Sequence, residues 1–443
     1  MPQKPMPPEG MSKEAVLAAL ESLRTQDADW RQGRMFGLIY NAGDDVEDMA
    51  RSAYSAFLFQ NALSPFAFPS LLRMETEFVS MLTTLCGGDD ETVGAMTSGG
   101  TESIFMALKA ARDWARAHRP EVSAPEMVVP ITIHPAWNKA AHYLGLKILQ
   151  TPVRDDCRAD MDALRAAVTD NTIILGGSAV SYPHGVVDPI DDLGRLALEK
   201  NCWLHVDACL GGFILPFLKK LGHDIPPYDF QVPGVKSMSV DVHKYGYISK
   251  GGSTALYRNA ELREYQFFVY TDWPGGIYAT PSMSGARPGG TIASAWAMMH
   301  YLGQAGFMER ADRAVTAAKR LQEGINALPD LFVLGSPPAT VFSFGSRTIN
   351  IFELGAKMKE RGWHMDAQHM PASLHMTVSP VHETIVDDLL ADLKEAVRET
   401  EAVRPGEESE DAALYGMMGT MPDRKAAKEF ALKYLGELYR LKS

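Results

Sequence analysis

The chain has 443 residues, 46% hydrophobic and 22% charged, which is enough for one large core with a smaller domain beside it. Its formal net charge of −12 argues against nucleic acid as a partner, because phosphate contacts need clustered Lys and Arg. No apolar run is long enough to span a bilayer, so no transmembrane segment is expected.

Four cysteines, Cys86, Cys157, Cys202 and Cys209, lack metal-ligand spacing. They read as free thiols in a reducing compartment, so a cytoplasmic location is expected.

The first ten residues, "MPQKPMPPEG", are polar and proline-rich and lack the apolar core of a signal peptide, so they read as a disordered arm. Residues 12–70 read as helical segments between loops, ending in "NALSPFAFPS". Residues 74–85 carry apolar side chains at helical spacing and lead to the turn "GGDDE". From about residue 93 short apolar runs alternate with amphipathic helices. The strand candidates are "MVVPITI", "NTIILGGSAV", "CWLHVDA", "KSMSVDV" and "STALYRN". Helix patterns such as "SIFMALKAARDWARAH", "WNKAAHYLGL" and "IDDLGRLALEK" lie between several of them.

This alternation predicts an α/β domain with a mostly parallel sheet covered on both faces, its ligands outside the carboxyl ends of the strands. After residue 305 a long helical stretch is followed by the short strands "LFVLG", "VFSFG", "TINIF" and "LHMTVS", the pattern of a smaller C-terminal α+β domain. "RPGEESEDAA" reads as a charged linker, and the chain closes on a helix with Pro422 in its first turn. The expected division is an N-terminal arm and helical segment (1–70), a large domain (71–305) and a small C-terminal domain (306–443).

Three stretches of the large domain carry chemistry. "TSGGTES" (97–103) is a glycine turn opening a long helix. Alone it is more readily read as a plain capped turn, but the free N–H groups and helix dipole there also suit an anion, with Gly100 and Thr101 nearest. "LHVDACLGG" places Asp207 at the end of an apolar strand, where a buried carboxylate needs a cationic or hydrogen-bonding partner. "SVDVHKYGYISKGG" places His243 and Lys244 at the end of another. A lone lysine there would simply reach solvent. Together the three form one site for pyridoxal 5'-phosphate, which needs a cradle for its phosphate, a carboxylate for its pyridinium nitrogen and a lysine for its aldehyde. His134, in "ITIHPAW", falls at a fourth strand end, where its imidazole suits stacking on the cofactor ring. His205 and Asp207 are two apart with no further ligands grouped near them, so no metal is expected.

With these motifs on the page, the sequence resembles pyridoxal-phosphate enzymes of the aspartate-aminotransferase fold (fold type I), in the group that includes amino-acid decarboxylases. Within that group it is most similar to the sphingosine-1-phosphate lyases. The pointers are "YPHGVVDPI" (182–190), "HKYGYISKG", "ARPGG" (286–290) and "LYGMMG" (414–419), spread from about residue 37 nearly to the end. The resemblance implies that Lys244 bonds the cofactor aldehyde. His243 helps hold the phosphate with Gly100 and Thr101, Asp207 pairs with the pyridinium, and His134 stacks on the ring. It implies that Tyr182 and Tyr415 reach the reacting part of the substrate. Tyr40, Asn61 and Lys250 would line a substrate-phosphate pocket, with Tyr40 supplied by the partner subunit of a homodimer. Eukaryotic members carry a membrane anchor, and this chain resembles the soluble bacterial ones. Two departures stand out: Ser64 replaces a phosphate-facing histidine, and Ala286 replaces a serine.

The implied reaction is a retro-aldol cleavage of a phosphorylated long-chain base to a long-chain aldehyde and phosphoethanolamine. Tyr182, Tyr415 and Lys244 are the candidates for the base that takes the C3-hydroxyl proton. Two readings compete: an amino-acid decarboxylase of the same fold, and a non-catalytic protein that keeps the fold for binding.

Overall fold

The computed structural model describes residues 6–403, 409, 412 and 423–440. Three helices precede the first strand: α1 (Lys13–Leu23), α2 (Asp44–Ala56) and α3 (Pro69–Leu85). The Ser12 hydroxyl caps α1 by accepting the Ala15 N–H, and proline opens α3. Leu71, Phe78 and Leu82, spaced at helical intervals along α3, are buried, whereas α1 buries nothing.

Among the described residues seven strands form the large sheet: β1 (Val93–Thr97), β2 (Glu126–Pro130), β3 (Lys147–Thr151), β4 (Thr172–Ser178), β5 (Trp203–Asp207), β6 (Val235–Val240) and β7 (Ser253–Tyr257). Their order is β1-β7-β6-β5-β4-β2-β3, and all pairings from β6 to β3 are parallel. β7 runs antiparallel to both β1 and β6, so β1 points the same way as β6. The carboxyl ends of β1, β2, β4, β5 and β6 therefore share one edge.

β2, β4 and β5 are buried along their whole length, as a parallel sheet covered on both faces requires. Val128, Leu175, Leu204 and Met238 face one core, while Met127, Val129, Ile174 and Trp203 face the other. The covering helices include α4 (Gly100–His118), α5 (Ala136–Leu144), α6 (Met161–Ala167) and α7 (Ile190–Glu199).

The five expected strands of this domain are all present. β1 and β3, the strands at the two sheet edges, went unforeseen because neither carries a long apolar run. The hairpin of β8 (Phe268–Trp273) and β9 (Gly276–Thr280), almost wholly exposed, also went unforeseen, although Phe268, Val269 and Tyr270 make an apolar run.

A second, antiparallel sheet has the order β10-β11-β13-β12, with β10 (Leu331–Val333), β11 (Val341–Ser346), β12 (Asp366–His369) and β13 (Ala372–Thr377). The expected strand "TINIF" is instead the start of a helix, Ile351–Glu360. The Asn350 carboxamide accepts the Phe352 and Glu353 N–H groups there, and this cap outweighs the β-branched residues around it. A long helix, Gly289–Asn326, packs on α2 and α3 at one end and on β10 at the other, and breaks at Gly303, whose φ is +53°. The terminal helix, Arg424–Leu438, is capped by the Asp423 carboxylate. Pro422 and most of the linker at 404–413 lie outside the described residues. Among the described residues no helix is long and apolar enough to cross a membrane.

The "YPHGVVDPI" turn ties the two sheets together. Gly185 has φ +70°, and a Cβ there would lie 1.7 Å from the Val341 carbonyl oxygen of β11, so only glycine fits. His184 Nδ1 lies 3.0 Å from the Ser343 hydroxyl of the same strand. Asp188 accepts the Ser178 N–H at 2.8 Å and the Ala159 N–H at 2.9 Å, and burial pushes its carboxyl up to about 6.

Candidate active site

Lys244 stands in the turn after β6. Its Nζ lies 2.9 Å from Asp241 Oδ2, with the Asp241 side chain only 3% exposed and that of Lys244 20% exposed. His243 Nε2 is 3.6 Å from the same oxygen. Burial alone would depress the Lys244 ammonium, but the Asp241 carboxylate outweighs it and holds the amine well above its ordinary value. Burial likewise pushes Asp241 up, and Lys244 and then His243 bring it below the usual carboxylate range. A lysine at a sealed strand end is thus tolerated because a carboxylate three residues earlier meets it.

The start of α4 packs against this pair. A Cβ on Gly100 would lie 2.8 Å from both Asp241 oxygens and from Cys209 Sγ, so no larger residue fits. Glu102 fastens the turn: it accepts the Ser98 N–H at 2.7 Å, the Ser98 hydroxyl, and the Met283 N–H at 2.8 Å. The N–H groups of Gly100 and Thr101 belong to the first helical turn and have no intrahelical acceptor.

Asp207 ends β5 and is 6% exposed. Its Oδ1 accepts the Cys209 N–H at 3.2 Å and the Ser239 hydroxyl at 3.3 Å. Behind it His205 bridges Ser237 Oγ (2.8 Å) and Ser239 Oγ (3.3 Å), and the Trp203 indole donates to Ser237 at 2.7 Å. Burial pushes His205 down to about 4, so it is a neutral bridge rather than a counter-ion. Among the described residues Asp207 forms no ion pair.

Four of the remaining residues gather on the same edge. His134 is exposed, and its Nδ1 accepts the Ala136 N–H at 3.1 Å, which places the ring proton on Nε2. Its ring meets that of Tyr182 edge-on at 6.4 Å. Tyr182 stacks on His375 at 4.2 Å and donates its hydroxyl to Asp366 Oδ2 at 2.8 Å. Burial and then the Asp366 charge push the Tyr182 phenol up, while burial pushes His375 down to about 3. Lys250 Nζ donates to the His243 carbonyl at 3.0 Å and lies 4.9 Å from the centre of the Tyr40 ring. Burial of the ammonium and then the nearby Lys244 charge push it down to about 8, although much of its stem is exposed. Tyr40 packs edge-on against Tyr245 at 4.9 Å, and burial raises its phenol to about 12. Tyr40, His243 and Lys250 open onto a cavity of about 380 Å³.

Two expectations meet a different arrangement. Tyr40 reaches Lys250 within its own chain, so no partner is needed to bring it there. Asn61 spends its carboxamide oxygen on the N–H groups of Leu63 and Arg287, holding the loop before α3 to the start of the long helix. Ser64 caps Ala67 locally, and Ala286 lines a small cavity with Ser98 and Glu102. Tyr415 lies outside the described residues.

The donor set fits pyridoxal phosphate. His243 Nδ1 is buried without a partner, the first N–H groups of α4 are free, Asp207 is an anion without a cation, and Lys244 offers a primary amine. Sequence reasoning missed Asp241, the Ser239–His205 support and Asp366. For Asp241 a signal existed in its spacing from Lys244. For Asp366, 184 residues from Tyr182, there was none.

The comparisons agree with this geometry. Residues 10–345 match the pyridoxal-dependent decarboxylase conserved domain. The chain is 43% identical to the sphingosine-1-phosphate lyase of Arabidopsis thaliana, over 98% of this chain and 81% of the relative. It is 31% identical to a probable sphingosine-1-phosphate lyase of Legionella pneumophila, over 96% and 76%. The solved sphingosine-1-phosphate lyase of Burkholderia pseudomallei superposes with a TM-score of 0.91 at 36% identity, covering 99% of this chain and 98% of that one. A glutamate decarboxylase of Lactobacillus brevis superposes with a TM-score of 0.80 at 17% identity, a likeness of fold alone. The chain belongs to the pyridoxal-dependent decarboxylase family and, within it, to the sphingosine-1-phosphate lyases.

Proposed function

We propose that the protein is a carbon–carbon lyase that cleaves a phosphorylated long-chain base, sphingosine 1-phosphate or a close relative, between C2 and C3. The products are a long-chain aldehyde and phosphoethanolamine. The observation that carries this reading is the meeting, on one sheet edge, of a cation-free Asp207, the Lys244 amine and the first turn of α4, in a chain of this family.

Gly100, Thr101 and His243 would hold the cofactor phosphate, Asp207 would pair with its pyridine nitrogen, and His134 would cover the ring. When bound, pyridoxal 5'-phosphate supplies a protonated ring that draws off the electron pair left on C2. Lys244 would hold the cofactor through its primary amine. Asp241 keeps the freed amine charged and in place, where it is positioned to return a proton to C2. Lys250 presents its charge to the substrate phosphate, with Tyr40 beside it. A base on the opposite side takes the C3-hydroxyl proton, and Tyr182 and Tyr415 are the side chains assigned to that end of the substrate.

The working unit is a homodimer in the cytoplasm. Exposed apolar side chains on the β8–β9 hairpin (Trp273, Ile277) and before α3 (Phe59, Phe66) favour burial against a second copy. Four free thiols suit a reducing compartment.

The test is to incubate cofactor-loaded protein with sphingosine 1-phosphate and, separately, with free amino acids. Release of long-chain aldehyde and phosphoethanolamine is expected. Release of carbon dioxide from an amino acid, with no aldehyde from the phosphorylated base, overturns the proposal in favour of a decarboxylase.

A further inference from the structure

The geometry points to Asp366 as the positioning residue through which Tyr182 takes the C3-hydroxyl proton, an inference that rests on the cleavage proposed above. Tyr182 Oη donates to Asp366 Oδ2 at 2.8 Å. A phenol that gives its hydrogen to a carboxylate leaves its oxygen lone pairs free to accept another, which is what a hydroxyl about to lose its proton requires. The ring is held in that attitude from below by His375, stacked at 4.2 Å and neutral because it is buried, so the stacking partner adds no charge beside the phenol.

Lys244 is poorly placed for the same task. Whenever its amine is free, Asp241 at 2.9 Å keeps it protonated, and an ammonium has no lone pair with which to take a proton. Nor does Tyr182 ionise on its own, since burial and the neighbouring carboxylate both push its phenol up. Its proton has to be handed on as the new one arrives. Asp366 supplies the place. It opens β12, comes from the other sheet, and is exposed, so a proton delivered to it exchanges with water.

The step balances as follows. The C3 hydroxyl proton moves to Tyr182 Oη while the proton already on Oη moves to Asp366 Oδ2. The O–H electron pair becomes the second bond of the aldehyde carbonyl. The C2–C3 bond breaks with its pair on C2, which is later protonated. Asp366 then releases its proton to water, and no oxidant or reductant is consumed.

Asp366→Asn separates a relay from a prop. A carboxamide oxygen still accepts the phenol's hydrogen bond and holds the ring, but it does not take up a proton. In the cofactor-loaded enzyme, kcat for aldehyde release falls about 100-fold in this variant. KM and the spectroscopic dissociation constant of sphingosine 1-phosphate stay unchanged, and Asp366→Glu recovers most of the rate. The Tyr182→Phe/Asp366→Asn double variant is no slower than the slower single one, because both remove the same route. A kcat within about threefold of wild type in Asp366→Asn, or additive losses in the double variant, overturns the relay and leaves the lyase assignment standing. Wild-type enzyme that binds the base yet releases no aldehyde overturns the lyase assignment, and the relay with it.

Discussion

Asp207 and Asp241 stand at the ends of adjacent strands, both nearly sealed from solvent, and they serve opposite ends. Asp241 is met by a cation, the Lys244 ammonium at 2.9 Å, with the His243 ring, whose protonation burial disfavours, at 3.6 Å. Asp207 is held only by a backbone N–H, a serine hydroxyl and, behind that serine, a neutral histidine. The first is a finished ion pair. The second is an oriented anion whose cation has to come from elsewhere. A buried carboxylate signals a missing partner only when its surroundings are polar enough to position it and lack any charge to satisfy it.

The contrast can be broken most completely at Lys244. Lys244→Ala removes the amine that bonds the cofactor, so turnover falls below detection and borohydride no longer fixes the cofactor to the protein. Peptide mass mapping that still finds a borohydride-stable bond, at another residue, takes the role away from Lys244.

Asp241→Asn strands the ammonium instead. Removing one partner of a buried pair costs about 3–5 kcal/mol, and the partial exposure of the Lys244 side chain brings the expected loss to about 2–3 kcal/mol. Urea unfolding of cofactor-free protein reads it. Asp207→Asn sharpens the comparison, because no cation is abandoned there. Cofactor-free stability changes less than in Asp241→Asn, while kcat of the loaded enzyme drops about 100-fold. Equal destabilisation by the two variants would refute the distinction between them.

The smallest effect concerns Lys250, whose ammonium is pushed down to about 8. It is charged below that pH and neutral above it, and a phosphate is bound by the charged form. kcat/KM for a phosphorylated base therefore declines as pH rises through about 8, by up to about tenfold per further unit, with kcat level. Lys250→Met lowers kcat/KM and removes this limb. A limb that persists in the variant assigns it to another group.

Most of the large sheet was legible because parallel strands buried on both faces write themselves as apolar runs, and their ends fall where the chain turns polar. That rule put Asp207 at the end of β5, while His134 and Lys244, expected at strand ends, stand in the turns four residues beyond β2 and β6. It failed at the edge strands β1 and β3, which leave little apolar run, and at the β8–β9 hairpin, whose apolar Phe268, Val269 and Tyr270 are exposed rather than buried. It also failed at Asn350, where one capping side chain decided between strand and helix. Within the site, groups near in sequence were readable and groups brought together by folding were not. Asp241 stands three residues from Lys244, whereas Asp366 and His375 meet Tyr182 only because the second sheet folds over the first. Asn61 shows the converse: a motif position can match a family while its oxygen is already committed to two backbone amides.

The weld at Gly185, with a would-be side chain 1.7 Å from the Val341 carbonyl, has a practical consequence for anyone reshaping the pocket. Tyr182 follows β4 of the large sheet in sequence yet is anchored to the small one, through His184 and Ser343 as well as through that glycine. Libraries that vary 184, 185 or 343 would displace the phenol together with whatever wall they remodel. Altered recognition of the phosphate end is better sought along the cavity beside Lys250, where Ile39, Val46 and Ala50 can be enlarged or trimmed without touching that joint.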